Sequence, residues 1–491
     1  MQTLWQDLRY GARMLWKKPG FTITICCLIA ACAFAQTTNL HKPFARPRGD
    51  YQLPPNFKAQ AAKYMQERVR VTGFSGAILV AHRGQPIFRQ SYGLANHEFS
   101  IPNTPTTKFR VGSAGKQFTS AAILLLEQRG KLKLTDTIDK YLPDWPKAWS
   151  GVTIHHLLSH TAGLPRLSTQ ALLDVSALSQ STPKLFRKLG DLLKAGEELQ
   201  PLDSKPGEKW NYSNVGYILL SMIIEKVAEK TYCDFVSQEL FHPLGMTNTG
   251  CDDPGTILAQ RASGYTRANE TLTNASYVDM RFVMGAGSIY STLDDLLVWN
   301  RALDANRLLH AAVTAKLFTP VKNDYAYGWW SQTKFNRKVV WHGGNVSGFV
   351  SQITRYPEEQ LFIVILSNVW SAADRSQVRA IANELSAMAF GARYELPRRH
   401  QAVQPEPAIY DGYVGEYQGN ETFALVREGE RLMMQIPPGQ TVFEIVAESE
   451  TQFFWKGREY FLTFVKNEMG KVTHVLIRNE GEESKWVKSV K

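Results

Sequence analysis

The chain has 491 residues, 44% of them hydrophobic and 21% charged, the values of an ordinary globular protein with room for two or three domains, each with a real core. Its net charge of +11 comes from basic residues scattered among acidic ones, without a long Lys/Arg run or an aromatic RNA-reading motif, so nucleic acid is excluded as the expected partner. An anionic surface such as a membrane or cell wall suits that charge at least as well.

Residues 1–35 read as an export segment. Arg9, Arg13, Lys17 and Lys18 precede the apolar run FTITICCLIAACAFA from Phe21 to Ala35, which is short for a bilayer span and right for the core of a signal peptide. Ala33-Phe34-Ala35 offers a cleavage site, whereas Ile29-Ala30-Ala31-Cys32 resembles a lipoprotein box in which Cys32 would carry the lipid. The stretch LWQDLRYGARMLWKKPGFT also resembles the amphipathic leader of certain bacterial transporter permeases, which makes an uncleaved anchor the main rival to a removed signal. Either way the chain is expected to be exported, periplasmic or anchored facing the periplasm. Of five cysteines three lie in this leader; Cys233 and Cys251 remain, and the sequence leaves open whether they pair.

Residues 36–55, polar and Pro-bearing, read as a linker. A helix is predicted around residues 57–70, then a hairpin, SGAILVAHRGQPIFRQSYG, turning at His82-Arg83-Gly84-Gln85. Helical stretches dominate the middle, notably 114–129 and 215–230, before strand-like runs return as KVVWHGG, GFVSQITRY and LFIVILSN. Strands from both ends of a region with helices between them predict one antiparallel sheet flanked by helices, with an inserted helical lobe. YELPRRHQAVQPEP breaks the pattern as linkers do. From Tyr410 onward the runs FALVREG, RLMMQI, TVFEIVA, TQFFWKG, EYFLTFVKN and KVTHVLIRN predict a small all-β domain, a barrel or curved sheet. The predicted class is α+β, organised as leader 1–35, linker 36–55, main domain 56–393, linker 394–408 and a small β-barrel-like domain 409–491.

The stretch VGSAGKQFTS places Ser113 and Lys116 one turn apart where an apolar helix begins. The same Ser-x-x-Lys spacing recurs at Ser181 and Ser331, so the pair alone is unspecific. The Ser181 copy contains Pro183 and fits a capped helix start; the Ser331 copy lies in a polar stretch just before a predicted strand. If Ser113 opens its helix, its N–H is among those without an intrahelical partner and can help hold an oxyanion. A buried Lys near another cation loses its proton more easily, and a neutral amine can take the Ser hydroxyl proton. WNYSNVGY sets Tyr212 and Asn214 at the head of another apolar helix. A phenol flanked by cations can ionise early and act as a base, and Asn214 can fix Lys116 and the substrate. VVWHGGNVSGF ends a strand at His342-Gly343-Gly344; the glycines leave the strand edge open to substrate backbone, and Asn345 N–H would be the second oxyanion donor.

Together these stretches resemble the serine β-lactamases and penicillin-binding proteins, in particular the class C-like branch with its DD-carboxypeptidases, D-aminopeptidases and lactamase-like esterases. That branch uses Ser-x-x-Lys, Tyr-x-Asn and Lys/His-x-Gly in this order, and here they start at Ser113, Tyr212 and His342. SGAILVAHRGQPIF, LLSHTAGLP, ELFHPLGMTNTG, GAGSIYSTLDDLLVW and YGWW resemble the same family, so the resemblance covers about residues 56–390. The final β domain resembles one often appended to such hydrolases. The resemblance implies Ser113 as acylated nucleophile, Lys116 and Tyr212 sharing proton transfer, Tyr212 activating the deacylating water, Asn214 orienting and His342 lining the substrate edge, with no cofactor. His342 stands where many lactamases carry Lys, and its weaker charge at neutral pH puts recognition of a β-lactam carboxylate in doubt.

Each motif also has a plainer reading: Ser113 as a helix cap, Tyr212 as a half-buried core aromatic, His342-Gly-Gly as a turn. Their number and order favour chemistry. His155, His156 and His160 tempt a metal reading, but TIHHLLSHTAGLP lacks the Glu of a His-Glu-x-x-His site and Gly163 is a natural helix stop, so no metal is expected. Arg166 and Trp341 are two of a dozen side chains that could border the pocket. The sequence thus predicts an exported serine hydrolase working through an acyl-enzyme on Ser113. Its substrates would be D-amino-acid peptides (cell-wall peptide among them), β-lactams or small esters. The rivals are a non-catalytic binding or sensor protein of the same fold and a membrane-transport accessory. Oligomeric state stays open.

Overall fold

The computed structural model describes residues 51–143, 147–164, 202–268, 271–419, 421–439 and 442–489; the expected leader, Cys32, Arg166 and the Ser181 copy lie outside them. Helix α1 (Phe57–Thr72) leads into the predicted hairpin of β1 (Gly76–His82) and β2 (Gln85–Tyr92). A short strand β3 (Phe109–Arg110) and a 3₁₀ turn over Gly112–Gly115 then feed α2 (Lys116–Gln128). The lobe continues through α3 (Ile154–Leu158), α4 (Asn214–Ala228), α5 (Tyr232–Val236), β4 (Gly250–Cys251), β5 (Ile289–Ser291) and α6 (Leu293–Asp304). The late strands are β6 (Trp330–Lys334), β7 (Arg337–Val346), β8 (Phe349–Tyr356) and β9 (Leu361–Ser367), followed by α7 (Ala372–Ala389).

Early and late strands join in one antiparallel sheet of order β6-β7-β8-β9-β1-β2, as the apolar runs at both ends predicted. Strands β1, β8 and β9 are buried at every position, which follows from helices covering both faces. On one face Tyr64 and Met65 of α1 and Ile381 and Leu385 of α7 pack on Ile78, Val80, Ile363 and Ile365; α6 covers the other. Ser331 is corrected here. It lies within edge strand β6, opposite Val340, because an edge strand tolerates the polar alternation of Ser-Gln-Thr-Lys that reads as loop in sequence.

Cys233 of α5 and Cys251 of β4 are joined by a disulfide that closes 18 residues of chain. Strand β4 pairs with β5, and β5 with β3, the strand that runs into Ser113. The crosslink therefore holds the lobe against the sheet that carries the nucleophile turn. Loop closure of this length is worth about 2–4 kcal/mol. A Cys233→Ser/Cys251→Ser variant is expected to lose about that much stability in urea unfolding while keeping its activity below the transition; unchanged stability would show the crosslink to be energetically idle.

After an irregular stretch, eight strands close a barrel: β10 (Gly415–Gln418), β11 (Thr422–Glu428), β12 (Arg431–Gln435), β13 (Val442–Ala447), β14 (Gln452–Phe454), β15 (Tyr460–Lys466), β16 (Val472–Asn479) and β17 (Glu482–Lys488). Its interior holds Tyr413, Tyr417, Phe423, Leu432, Phe453, Leu462, Phe464, Val475 and Ile477. Strands β10 and β17 fell outside the predicted runs because GEYQ and EESKWVK carry little apolar alternation; paired with each other through Tyr417 and Lys488, they close the ring. The barrel seats on α1 and α7 through Arg68–Glu459 and a largely buried Arg478–Glu384 pair 2.5 Å apart.

Candidate active site

Helix α2 is buried on all sides from Lys116 to Leu126, as the run SAAILLL demands, and that carries Lys116 into the interior. Among the described residues it is the lysine with no exposed surface. Its Nζ contacts three oxygens: Asn214 Oδ1 at 2.8 Å, the Ala286 carbonyl at 2.8 Å and Ser113 Oγ at 3.3 Å. None is a carboxylate. Burial therefore drives the Lys116 pKa well below the usual lysine range, since a desolvated ammonium without a counter-charge is unfavourable. The sequence reading gave burial together with a neighbouring cation as the cause; burial alone accounts for the shift.

Ser113 is half-buried in the turn that opens α2. Gly112 before it has φ +53°, and a Cβ there would meet the Asn345 backbone nitrogen at 2.9 Å. A Cβ on Gly344 would lie 1.9 Å from the Val111 carbonyl. These two glycines let β7 close on the nucleophile turn, so the backbones of Ser113 and Asn345 run side by side. The space beside Gly344 is thus filled by protein backbone, where the sequence reading had reserved it for substrate; Gly343 is half-buried and Asn345 exposed.

Ser213 organises the third segment. Its Oγ accepts from Gly216 N–H and caps α4, its own N–H donates to His160 Nδ1 at 3.2 Å, and so Tyr212 and Asn214 are fixed on either side of it. Lys116 Nζ sits 4.9 Å from the Tyr212 ring centre, and the Ser113 hydroxyl is near enough to act on the Tyr212 phenol. Burial pushes the Tyr212 phenol up, with the Ser113 hydrogen bond partly opposing. This reverses the expected early ionisation: desolvation outweighs any cation nearby.

His342 is buried. Its Nδ1 donates to the Gly343 carbonyl at 2.6 Å, which leaves Nε2 to accept from Tyr325 O–H at 3.1 Å. Burial, then the Lys116 charge, hold its pKa down to about 3. The ring lies within the site yet offers a substrate neither charge nor a free nitrogen. Trp341 points to the other face of the sheet and packs against the α1–α7 core, so it does not border this site. A cleft of about 610 Å³, lined among others by Arg110, Ile257, Tyr277, Ser347 and Phe349, starts within a few residues of Ser113 and Asn345 along the chain but includes neither Ser113, Lys116 nor Tyr212.

The sequence missed three participants. The Ala286 carbonyl has no side-chain signature. Tyr325, buried between Tyr217 and His342, sits in a stretch whose signal was assigned to YGWW. His160, weighed as a metal ligand, packs its ring 4.3 Å from that of Tyr212. His155 Nδ1 is paired with Tyr327 at 2.6 Å, and His156 Nδ1 accepts from Thr153 N–H.

A hydroxyl and an amine on the first turn of a buried helix, with a phenol brought beside them from the segment before α4 and all beneath a sheet edge, define a serine hydrolase of the penicillin-recognising type. The chain belongs to the Beta-lactamase family, whose model matches residues 61–387, consistent with its class C-like branch. Penicillin-binding protein 4* of Bacillus subtilis (strain 168) is 28% identical over 456 residues, 87% of this chain and 98% of that one. Among solved structures, the octameric penicillin-binding protein homologue from Pyrococcus abyssi superposes with a TM-score of 0.62 at 22% identity, over 88% of this chain and 99% of that one. The D-amino acid amidase from Ochrobactrum anthropi SV3, complexed with D-phenylalanine, gives 0.59 at 21%, over 69% and 100%; both likenesses are of fold.

Proposed function

We propose that Ser113 is acylated by an amide or ester carbonyl and that Lys116, as the neutral amine, is its base. The observation that carries this reading is the set of three contacts at Lys116 Nζ. A neutral amine has two N–H groups and one lone pair. Asn214 Oδ1 and the Ala286 carbonyl, both acceptors, take the two N–H groups, and the lone pair is left facing the Ser113 hydroxyl. Tyr212, kept a neutral phenol, relays the proton to the leaving group and orients the deacylating water. The backbone N–H groups of Ser113 and Asn345 hold the oxyanion, His342 with Gly343 shapes the substrate edge, and Gly344 lets β7 close on the nucleophile turn.

D-amino-acid amides and peptides are the preferred substrates, ahead of β-lactams and small esters. Supporting this are the names of the relatives and the neutral, fully engaged His342, which has nothing to offer a β-lactam carboxylate. Export is supported by the leader and by the Cys233–Cys251 disulfide, which suits an oxidising compartment. Among the described residues no helix is long and apolar enough to cross a membrane, so attachment would rest on the leader or Cys32. A panel of D-amino-acid amides, nitrocefin and p-nitrophenyl esters tests the reading. Loss of one charged hydrogen bond to the carboxylate should leave nitrocefin about 10–100-fold behind the best D-amide in kcat/KM; nitrocefin turning over fastest would overthrow the substrate order.

A further inference from the structure

Three arginines meet at the seam between α7 and the barrel. Arg375 and Arg379 are one turn apart on α7 and share a face. Arg458 is delivered by the turn between β14 and β15, anchored where Glu459 N–H donates to Ser376 Oγ at 3.1 Å. Arg379 Cζ lies 5.6 Å from the Trp341 ring centre and Arg458 Cζ 4.4 Å from that of Trp455. All three arginines are half-buried. Among the described residues their carboxylate in ion-pair contact is Glu480, 3.5 Å from Arg379. Glu459 is engaged by Arg68 and Asp374 by Arg267.

A guanidinium cannot shed its proton and presents five N–H donors in a fork that matches an oxyanion. Here three such forks lie along one seam, two of them one helical turn apart and the third carried on the turn docked at Ser376, with Glu480 as the carboxylate in ion-pair contact among the described residues. Burial, then the neighbouring Arg379 and Arg458 charges, hold the Arg375 pKa below its usual range, with Glu480 only partly opposing. From the cluster a row of half-buried indoles runs back to the catalytic residues. Trp341 stacks on Trp330 at 5.7 Å and 15°, Trp330 meets Trp210 at 5.2 Å, and Trp210 lies 6.4 Å from Tyr212.

We propose that Arg375, Arg379 and Arg458 form a binding site for a phosphate or carboxylate group, and that the indole row Trp341–Trp330–Trp210 carries the rest of an extended acidic ligand toward Ser113. The second half rests on the function proposed above; the first does not.

The test is calorimetric titration of the full chain with inorganic phosphate and with succinate at fixed ionic strength. Saturable binding is expected, weakened about tenfold to a hundredfold in Arg375→Gln/Arg458→Gln and unchanged in Arg307→Gln, an exposed arginine elsewhere. Should the double variant fail to fold, Arg458→Gln alone repeats the measurement. Sedimentation with phosphatidylglycerol vesicles adds an arm: arginine-dependent binding there, without a response to soluble anions, assigns the phosphate to a lipid headgroup. Binding that is equal in wild type and the arginine variants, or absent from every arm, overturns the site. For the track, peptide substrates with and without a carboxylate several residues from the scissile bond are compared. The double variant should raise KM about tenfold for the acidic peptide alone and leave kcat for a small neutral ester unchanged; equal effects on both peptides overturn the track while leaving the anion site to the titration. Inactivity of wild type on every substrate would instead count against the hydrolytic reading.

Discussion

Ser113→Ala is expected to abolish covalent labelling by a fluorophosphonate or penicillin probe and to lower turnover by about 10⁴-fold or more, the scale on which removal of a covalent nucleophile acts. The hydroxyl lies 3.3 Å from Lys116 Nζ and acts on the Tyr212 phenol, so its loss leaves the two proton-handling groups with nothing to activate. The competing Ser331 copy lacks these partners. Its Lys334 is instead engaged by Glu482 and by Asn383 Oδ1. Alanine fits the turn without strain, and stability should move by less than about 1 kcal/mol. Mass added at any position of the Ser113→Ala protein under the same conditions would refute the assignment.

Lys116→Met should slow acylation by about 10²–10⁴-fold and, in the same protein, raise stability at neutral pH. The sign follows from linkage. Burial holds the folded Lys116 pKa well below the usual lysine range. Between the folded and unfolded values the unfolded chain binds the extra proton, so wild-type stability climbs as pH rises, is fully present above the unfolded pKa, and is lost as pH falls through the folded one. Methionine fills the same space with no proton to bind. Urea unfolding at two pH values inside that window should give a shallower slope for Lys116→Met than for wild type. Inside that window the folded amine is already neutral, so wild-type kcat/KM should hold level and fall only as pH drops through the folded pKa and the amine gains its proton. Equal slopes, or near-normal acylation in the variant, would remove Lys116 from the role of buried neutral base.

What could be read in the sequence and what could not divides along a physical line. Apolar periodicity exposed the sheet, α2, α4 and most of the barrel, since burial writes itself into residue type. Side chains that act through their own chemistry, Ser113, Lys116, Tyr212, Asn214 and His342, were legible through spacing and resemblance. Contributions made by backbone, such as the Ala286 carbonyl, leave no letter to read. Protonation was the weakest point: Tyr212 and Lys116 owe their shifts to how deeply they are sunk, a three-dimensional quantity, so the ionisation expected of Tyr212 from neighbouring charge was reversed, and for Lys116 burial sufficed without the added cation. The Cys233–Cys251 pairing likewise waits on geometry, because two cysteines permit both outcomes. Strand β17 illustrates the opposite case, a polar segment recruited because the barrel needs one more rung.

Strand β1, buried throughout, lies between β2 and β9, and its register runs from Gly76 opposite Ser367. Its partner emerges from the ribosome only after nearly three hundred further residues, or ~15–60 s of synthesis at about 5–20 residues per second. Until then the emerging chain cannot complete its central sheet, and such long-range pairing is slow to form. A polypeptide built this way leaves its central strand without its late partner for most of its synthesis, and completes the sheet beside Ser113 only as one of the last acts of folding the main domain.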